Sequence, residues 1–194
     1  MIATNDSTGS ADTAVALDGF DVLDVCHRQT VFTLGKLRAL VARLSSAGPD
    51  EEAREMAAEI VLFFSTTARR HHEEEERHVF PKMAGSDDPK IVQAVLTLQQ
   101  DHHWLEEDWR ELSVPLDAVA CGQSWYDLDV LRKSVEVFVA LSHEHIALEE
   151  SLIYPQARAR LDAAQRHEMG REISARRRAQ RSVVPAPGGS EPRG

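Results

Sequence analysis

Histidine and glutamate are the residues in this chain that could do chemistry, and they recur in one pattern. A histidine, three spacers and two glutamates occur three times, at residues 71–76, 102–107 and 145–150. A spacing of four places the histidine and the first glutamate one turn apart on one helix face, where both could hold the same ion. One such pair alone is typical of a solvated acidic helix. Three copies on separate segments predict a metal site instead.

The first and third copies share a longer pattern. Both continue to an aromatic residue and a proline, at 80–81 and 154–155, so one offset of 74 residues superposes them from position 71 onto position 145. His72 and Glu76 repeat the spacing one residue later, which leaves a register shifted by one as an alternative. The offset favours His71 and Glu75 as the inward pair. It also predicts that a change at His72 costs less metal than a change at His71.

Apolar residues at spacings of three and four predict four long helices followed by a short one. We expect the long helices near residues 18–46, 49–83, 89–112 and 125–160, with a break at Ser113-Val114-Pro115. Val31 falls on the inward stripe of the first helix. The predicted organisation is a flexible leader (1–18), a helical domain (19–160), a C-terminal helix (161–181) and a disordered tail (182–194). The arginines of the C-terminal helix, among them Arg176 and Arg177, are expected on a solvated face.

Four amphipathic helices with short connections favour an all-α fold, an antiparallel up-down-up-down four-helix bundle. His27 lies on the apolar stripe of the first helix, where a lone histidine is more often a core residue than a ligand. However, the candidates alternate between the beginnings and the ends of successive helices, so the topology would bring them to a similar depth. The candidate metal ligands are His27, His71, Glu75, His102, Glu106, His145 and Glu149.

This donor set predicts the kind of metal. Burying three carboxylates and four imidazoles would cost several kcal/mol for each unpaired charge unless a cation neutralises them. Nitrogen and oxygen donors without thiolate suit non-haem iron, with manganese or zinc as alternatives, whereas calcium and magnesium prefer oxygen alone. Seven ligands are too many for one ion. The sequence therefore predicts two ions bridged by carboxylate and solvent.

The composition excludes several other classes of protein. The 194 residues are 42% hydrophobic and 28% charged, as in a globular domain, and the formal charge of −10 argues against nucleic acid as a partner. Two cysteines, Cys26 and Cys121, lack a metal-binding spacing and are expected as free thiols in a reducing compartment. The N-terminal segment has no signal-peptide pattern and no segment reaches membrane length. We expect a cytoplasmic protein with no membrane partner, and the sequence leaves its oligomeric state open.

Together these motifs resemble the hemerythrin-like, or HHE cation-binding, family over roughly residues 20–160. The resemblance rests on a histidine early in the first helix, His-xxx-Glu in the second, a histidine in the third, His-xxx-carboxylate in the fourth, and the Phe80-Pro81 and Tyr154-Pro155 endings. It implies an antiparallel four-helix bundle with an oxo- or hydroxo-bridged di-iron centre near one end. It also implies that O2 or a related small molecule is the ligand.

The chain departs from the oxygen-carrying hemerythrins at two positions. Those proteins have His-xxx-His in the third helix and an aspartate five residues after the histidine of the fourth, where this chain has Glu106 and Glu149. More carboxylate donation stabilises the higher oxidation state, so a response to O2, NO or peroxide is favoured over reversible O2 carriage. A di-iron oxidase or peroxidase and an iron-buffering or structural bundle are the alternatives. His78, His103 and His143 are expected in supporting or surface positions.

Overall fold

The computed structural model describes residues 17–183, with side chains described to residue 179, and all of its regular structure is helical. The predicted all-α fold is confirmed. Eight α-helices and two π-helical segments follow one another along this part of the chain: α1 (Gly19–Ala47), α2 (Glu51–Leu62), π1 (Phe63–Ala68), α3 (Arg69–His78), α4 (Phe80–Ala84), α5 (Pro89–Ala120), α6 (Leu128–Leu148), π2 (Glu149–Ile153), α7 (Tyr154–Arg160) and α8 (Ala163–Val183).

The long helices form four columns, which are α1, then α2 to α4 with π1, then α5, and finally α6 and α7 with π2. An aspartate begins each column. The side chains of Asp18, Asp50, Asp88 and Asp127 each accept a hydrogen bond of 2.9 Å from a backbone N–H in the first turn. Such a cap satisfies an N–H group that has no partner within the helix. These aspartates fix where each column starts, and so the depth of the histidines that follow.

Two columns are continuous despite changes in helical pitch. In the second column, α2, π1 and α3 run without a break, and Pro81 lies in the first turn of α4 just after a turn at Val79. In the fourth column, α6, π2 and α7 follow one another directly. A π-helical turn accommodates an extra residue and often lies at a functional site. Here π1 ends three residues before His71, and π2 begins at Glu149.

The columns pack side by side in a ring in which α1 contacts α2 and α6, and α5 contacts the same two helices. Residue pairs between α1 and the fourth column run in opposite numerical order. Phe20 packs edge-on against Tyr154 with 5.6 Å between ring centroids, whereas Arg38 near the middle of α1 bonds Glu136. The beginning of α1 thus meets the end of the fourth column.

Two apolar clusters fill the interior and leave a polar layer between them. One contains Leu34 of α1, and the other contains Leu23 of the same helix, four residues before His27. The same order holds in α5, where Leu98 belongs to one cluster, Leu105 to the other, and His102 lies between them. Each column contributes a histidine to this layer. The hydrophobic effect on both sides therefore holds the polar side chains in place.

Three expectations about the elements are wrong. Helix α5 continues through Pro115 to Ala120, because Leu116 and Val119 beyond the proline are fully buried in the core. Val31 is 47% exposed, and the buried position beside it is Thr30. The arginine face of α8 is not simply solvated, since Arg177 bonds a buried glutamate of α3.

The predicted flexible leader (1–18) and disordered tail (182–194) lie largely outside the described residues, which run from 17 to 183. The C-terminal helix extends to Val183, two residues beyond its predicted end. Within the described range, none of the helices combines the length and the apolar character that crossing a membrane requires.

Candidate metal centre

Glu75 is a fully buried carboxylate in the polar layer, with a histidine on either side. Its Oε1 lies 3.3 Å from His71 Nε2, and its Oε2 lies 3.5 Å from His102 Nε2. His71 is one turn earlier on the same column, as the spacing predicts, and His102 comes from α5. Glu75 is thus shared between two columns.

Glu149 is the second fully buried carboxylate and is placed in the same way. Its Oε2 lies 3.1 Å from His27 Nε2 and its Oε1 lies 3.3 Å from His145 Nε2. His145 is one turn earlier on the fourth column, whereas His27 reaches across from α1. The predicted equivalence of the first and third motifs is therefore visible in the packing.

The donor atoms form two overlapping groups, each compact enough to hold one ion. Within a group every donor atom lies within 4.8 Å of the others. Both groups contain Glu75 and Glu149, so the two carboxylates lie between them. The first group is His27, His71, Glu75 and Glu149, and the second is Glu75, His102, His145 and Glu149.

The cluster leaves many buried polar atoms without a hydrogen-bond partner. These atoms are both ring nitrogens of His71 and His145, Nε2 of His102, Oε2 of Glu75 and both carboxylate oxygens of Glu149. A buried polar atom without a partner costs about 1–3 kcal/mol, and more when it is charged. A metal ion would take one nitrogen of each imidazole together with the carboxylate oxygens, so the residues present fit the cations that the sequence predicts.

In the first and third doublets, the second glutamate supports a histidine on a neighbouring helix. Glu76 Oε1 lies 2.9 Å from His102 Nδ1, and Glu150 Oε1 lies 3.1 Å from His27 Nδ1. A carboxylate on the far ring nitrogen of a metal-binding histidine fixes its tautomer and raises its basicity. The doublet therefore combines an inner donor with an outer support.

Tyr154 closes the layer on the side of the first group. Its hydroxyl donates a hydrogen bond of 2.5 Å to Glu75 Oε1 and lies 3.3 Å from His27 Nε2. Its ring stacks on the imidazole of His27, with 5.1 Å between centroids. Burial and the nearby carboxylates raise the pKa of Tyr154 well above its usual value, which keeps a proton on the phenol.

Protons take up part of the charge of the metal-free cluster. Burial lowers the pKa of His27, but the Glu149 and Glu75 carboxylates outweigh it and raise the value to about 10. At His71 burial outweighs the Glu75 carboxylate, and the pKa falls to about 3. Burial also raises the pKa of Glu149, to about 7. A bound cation would replace protons on these groups.

Glu106 is not brought to the cluster. Its side chain is 53% exposed and its carboxylate lies 3.9 Å from the Arg69 guanidinium. In α5 the inward position after His102 is Leu105, three residues on, so the residue four positions on turns outward. The third copy of the motif therefore supplies its histidine alone to the polar layer.

His72 lies at the cluster, although the motif register favoured its neighbour. Its ring stacks on that of His102 with 4.0 Å between centroids, and the nitrogens of His72, His102 and His145 lie within 4.8 Å of one another. Among the other histidines, His78 is half-buried beside Arg176, while His103 and His143 are exposed. The adjacent His-His pair in the sequence could not show by itself that both rings face inward, because His103 follows His102 in the same way and is exposed.

A cavity of about 600 Å³ extends from the histidines to the surface between the helices. Phe64, Trp109 and Phe138 form an aromatic part of its wall, while Arg69 and Glu106 line it on the exposed side. Pockets of this size are typical of sites for small organic molecules. The polar layer is therefore reachable from solvent.

Comparison with known families agrees with this geometry. The model of the hemerythrin HHE cation binding domain matches residues 18–157, which is more than half of the chain and includes every residue of the polar layer. The chain belongs to this hemerythrin HHE family. The resemblance inferred from the motifs is confirmed, and membership implies a metal-binding domain.

A relative of this hemerythrin HHE protein is an uncharacterized protein of Haemophilus influenzae. The two are 35% identical over 89 residues, which are 46% of this chain and 49% of the relative. The match therefore spans about half the length of each protein.

Proposed function

We propose that this hemerythrin HHE protein holds two iron ions and binds or responds to O2, NO or peroxide. The observation that supports the proposal is the pair of buried donor groups that share Glu75 and Glu149. Two carboxylates between two sets of histidines suit a pair of ions better than one. Manganese or zinc would fit the same donors.

Each ion would have its own histidines, and Glu75 and Glu149 would serve both ions, since they belong to both donor groups. One ion takes His27 and His71, and the other takes His102 and His145. Iron in such a site supplies redox chemistry and an exchangeable position for a small ligand. Glu106 is not proposed as a ligand, because it lies on the exposed side of α5.

Two features of the surrounding chain support this role, and two others support the proposed topology and compartment. The apolar clusters on both sides of the polar layer exclude water except through the cavity. Tyr154 keeps its proton and donates a hydrogen bond to Glu75 Oε1, so the hydroxyl can stabilise negative charge that develops near the first group. The opposed order of contacts along α1 and the fourth column supports the antiparallel up-down-up-down arrangement of the four columns. Free Cys26 and Cys121 support a reducing compartment such as the cytoplasm.

Anaerobic loading with ferrous iron tests the proposal. We expect two ions per chain, and a near-ultraviolet charge-transfer absorption of an oxidised di-iron pair after addition of O2 or peroxide. Two ions with no spectral response to O2, NO or peroxide would instead support an iron-buffering or structural role. Fewer than two ions would contradict the di-iron proposal.

Two ligand variants test which side chains hold the metal. We expect His71→Ala and His145→Ala each to lose most iron while the far-ultraviolet circular dichroism keeps its helical signal. His143→Ala is the matched control, since His143 lies on α6 two residues before His145 but is exposed. Iron content in the ligand variants equal to that of the control would contradict the assignment.

A di-iron oxidase or peroxidase is the second candidate, and the cavity favours it. A volume of about 600 Å³ is far larger than O2 or NO needs and has room for an organic reductant beside the ions. Ala68 lines this cavity and its side chain is nearly buried. Replacing it by phenylalanine should fill part of the space. If an aromatic reductant is oxidised catalytically, Ala68→Phe should slow its turnover and leave iron content unchanged.

A further inference from the structure

His72 follows His71 in α3, yet the two rings serve opposite sides of the polar layer. His71 Nε2 is 3.3 Å from Glu75 and belongs to the donor group of His27. His72 instead lies against α5 and α6, with its ring centroid 4.0 Å from that of His102 and 5.4 Å from that of His145. Consecutive helical residues point about 100° apart, so one turn of α3 can reach both groups.

The three nitrogens of His72, His102 and His145 are close enough for a common ion. They lie within 4.8 Å of one another. Ring nitrogens bind such ions at about 2.0–2.1 Å, so opposite donors of one ion stand roughly 4 Å apart. His102 and His145 are nearly buried, and the Nε2 atoms of both lack a hydrogen-bond partner. A ring that served only to pack against His102 would not need a nitrogen within reach of His145.

We propose that His72 is the third histidine ligand of the ion held by His102 and His145. His72 of α3 is thus a ligand in place of Glu106 of α5, which the sequence motif predicts. The consecutive pair His71-His72 then serves both ions, one residue each. The inference rests on the proposed two-ion function and reverses the expectation that His72 matters little.

The proposal makes the two ions unequal. The ion of His27 and His71 has two histidines and two shared carboxylates, whereas the ion of His102 and His145 has three histidines and the same carboxylates. His72 also lines the cavity, so this third nitrogen comes from the side on which a small molecule arrives. A change at His72 should therefore affect one ion and spare the other.

Metal titration of the full chain with cobalt(II), free of oxygen, tests the inference. We expect wild type to bind two ions, and His72→Ala to bind one tightly and the second at least tenfold more weakly. The visible absorption of bound cobalt should fall accordingly. Added imidazole should restore the second ion in His72→Ala, because it can occupy the space left by the side chain.

His103→Ala is the matched control. His103 follows His102 as His72 follows His71, but it is 62% exposed, and we expect two ions with wild-type affinity. Unchanged binding of two ions by His72→Ala would overturn the inference, and so would loss of both ions from a folded variant. If His72→Ala does not fold, His72→Gln takes its place, with circular dichroism to confirm helicity. Fewer than two ions in wild type would overturn the proposed function itself.

Discussion

The two glutamates of a Glu-Glu doublet have different roles at the polar layer. In both doublets that reach the layer, the first glutamate is fully buried among histidines and the second is about half exposed. The second carboxylate still contacts a histidine, on the helix that packs next to its own. This contact holds an imidazole ring in the orientation in which its other nitrogen faces the cluster.

Glu76→Ala tests this supporting role. The variant removes the carboxylate 2.9 Å from His102 Nδ1, and we expect metal affinity to fall about tenfold or more while the fold is kept. Competition with a chelator of known affinity would measure the change. Glu107→Ala is the matched control, because Glu107 is 44% exposed against 49% for Glu76 and its carboxylate pairs with the exposed residues His103 and Arg110. Equal affinities in the two variants would show that the contact does not orient His102.

Tyr154→Phe tests the hydroxyl that donates to Glu75. The ring stacking on His27 remains in this variant, but Glu75 Oε1 loses its hydrogen bond and is freer to turn. We expect the metal affinity to fall about tenfold and the absorption of the oxidised iron pair to change. Tyr126→Phe, in a half-buried tyrosine packed on the other apolar cluster, should leave both measurements unchanged. The idea fails if the two variants behave alike.

At the scale of elements, helical spacing predicted most of the layer because four apolar stripes carry histidines at matching depths. This spacing correctly predicts that the layer contains His27, His71, His102 and His145, together with the inner carboxylates Glu75 and Glu149. It erred at Glu106, since a spacing of four does not show whether a helix turns its third or its fourth residue inward. Only packing decides that, and α5 buries Leu105 there.

The π-helical segments were the part of the fold that spacing could not reveal. The spacing of apolar residues predicts regular α-helices throughout, whereas π1 and π2 each accommodate extra residues within a turn. Glu149 and Tyr154 are five residues apart across π2, and both still face the polar layer. In a regular α-helix, a spacing of five would turn Tyr154 well away from Glu149.

Helix α8 packs beside the polar layer and supplies the arginine of a buried ion pair. Arg177 donates hydrogen bonds of 3.0 and 2.6 Å to Glu74, the neighbour of the inner carboxylate Glu75. The Glu74 side chain is only 2% exposed. Removing Arg177 would therefore leave a buried charge without its partner.

Arg177→Ala should lower the free energy of unfolding by about 3 kcal/mol. Urea denaturation of the metal-free protein would measure this loss. Arg171→Ala is the control on the same helix, because Arg171 is 71% exposed and pairs with an exposed glutamate, and its loss should cost less than about 0.5 kcal/mol. Adding Glu74→Leu to Arg177→Ala should recover much of the stability. A similar small loss from both arginine variants would mean that α8 docks by its apolar contacts alone.

For the whole molecule, the polar layer is the place where all four columns meet between two apolar clusters. Each column supplies at least one histidine, so metal bound there would join all four, and its binding free energy would add to folding. A ligand present at 100 times its dissociation constant stabilises the folded state by about 2.7 kcal/mol. In a domain of this size, 1 kcal/mol shifts the melting temperature by roughly 2–4 °C.

With two ions at that excess, loading with iron should therefore raise the melting temperature by about 10–20 °C over the metal-free protein. Circular dichroism on both forms under anaerobic conditions would measure it. The rise should shrink in His145→Ala, where His102 and the shared carboxylates keep only part of the second group, and should persist in His143→Ala. Equal melting temperatures with and without metal would show that the two apolar clusters hold the columns together by themselves, with no coupling between metal and fold.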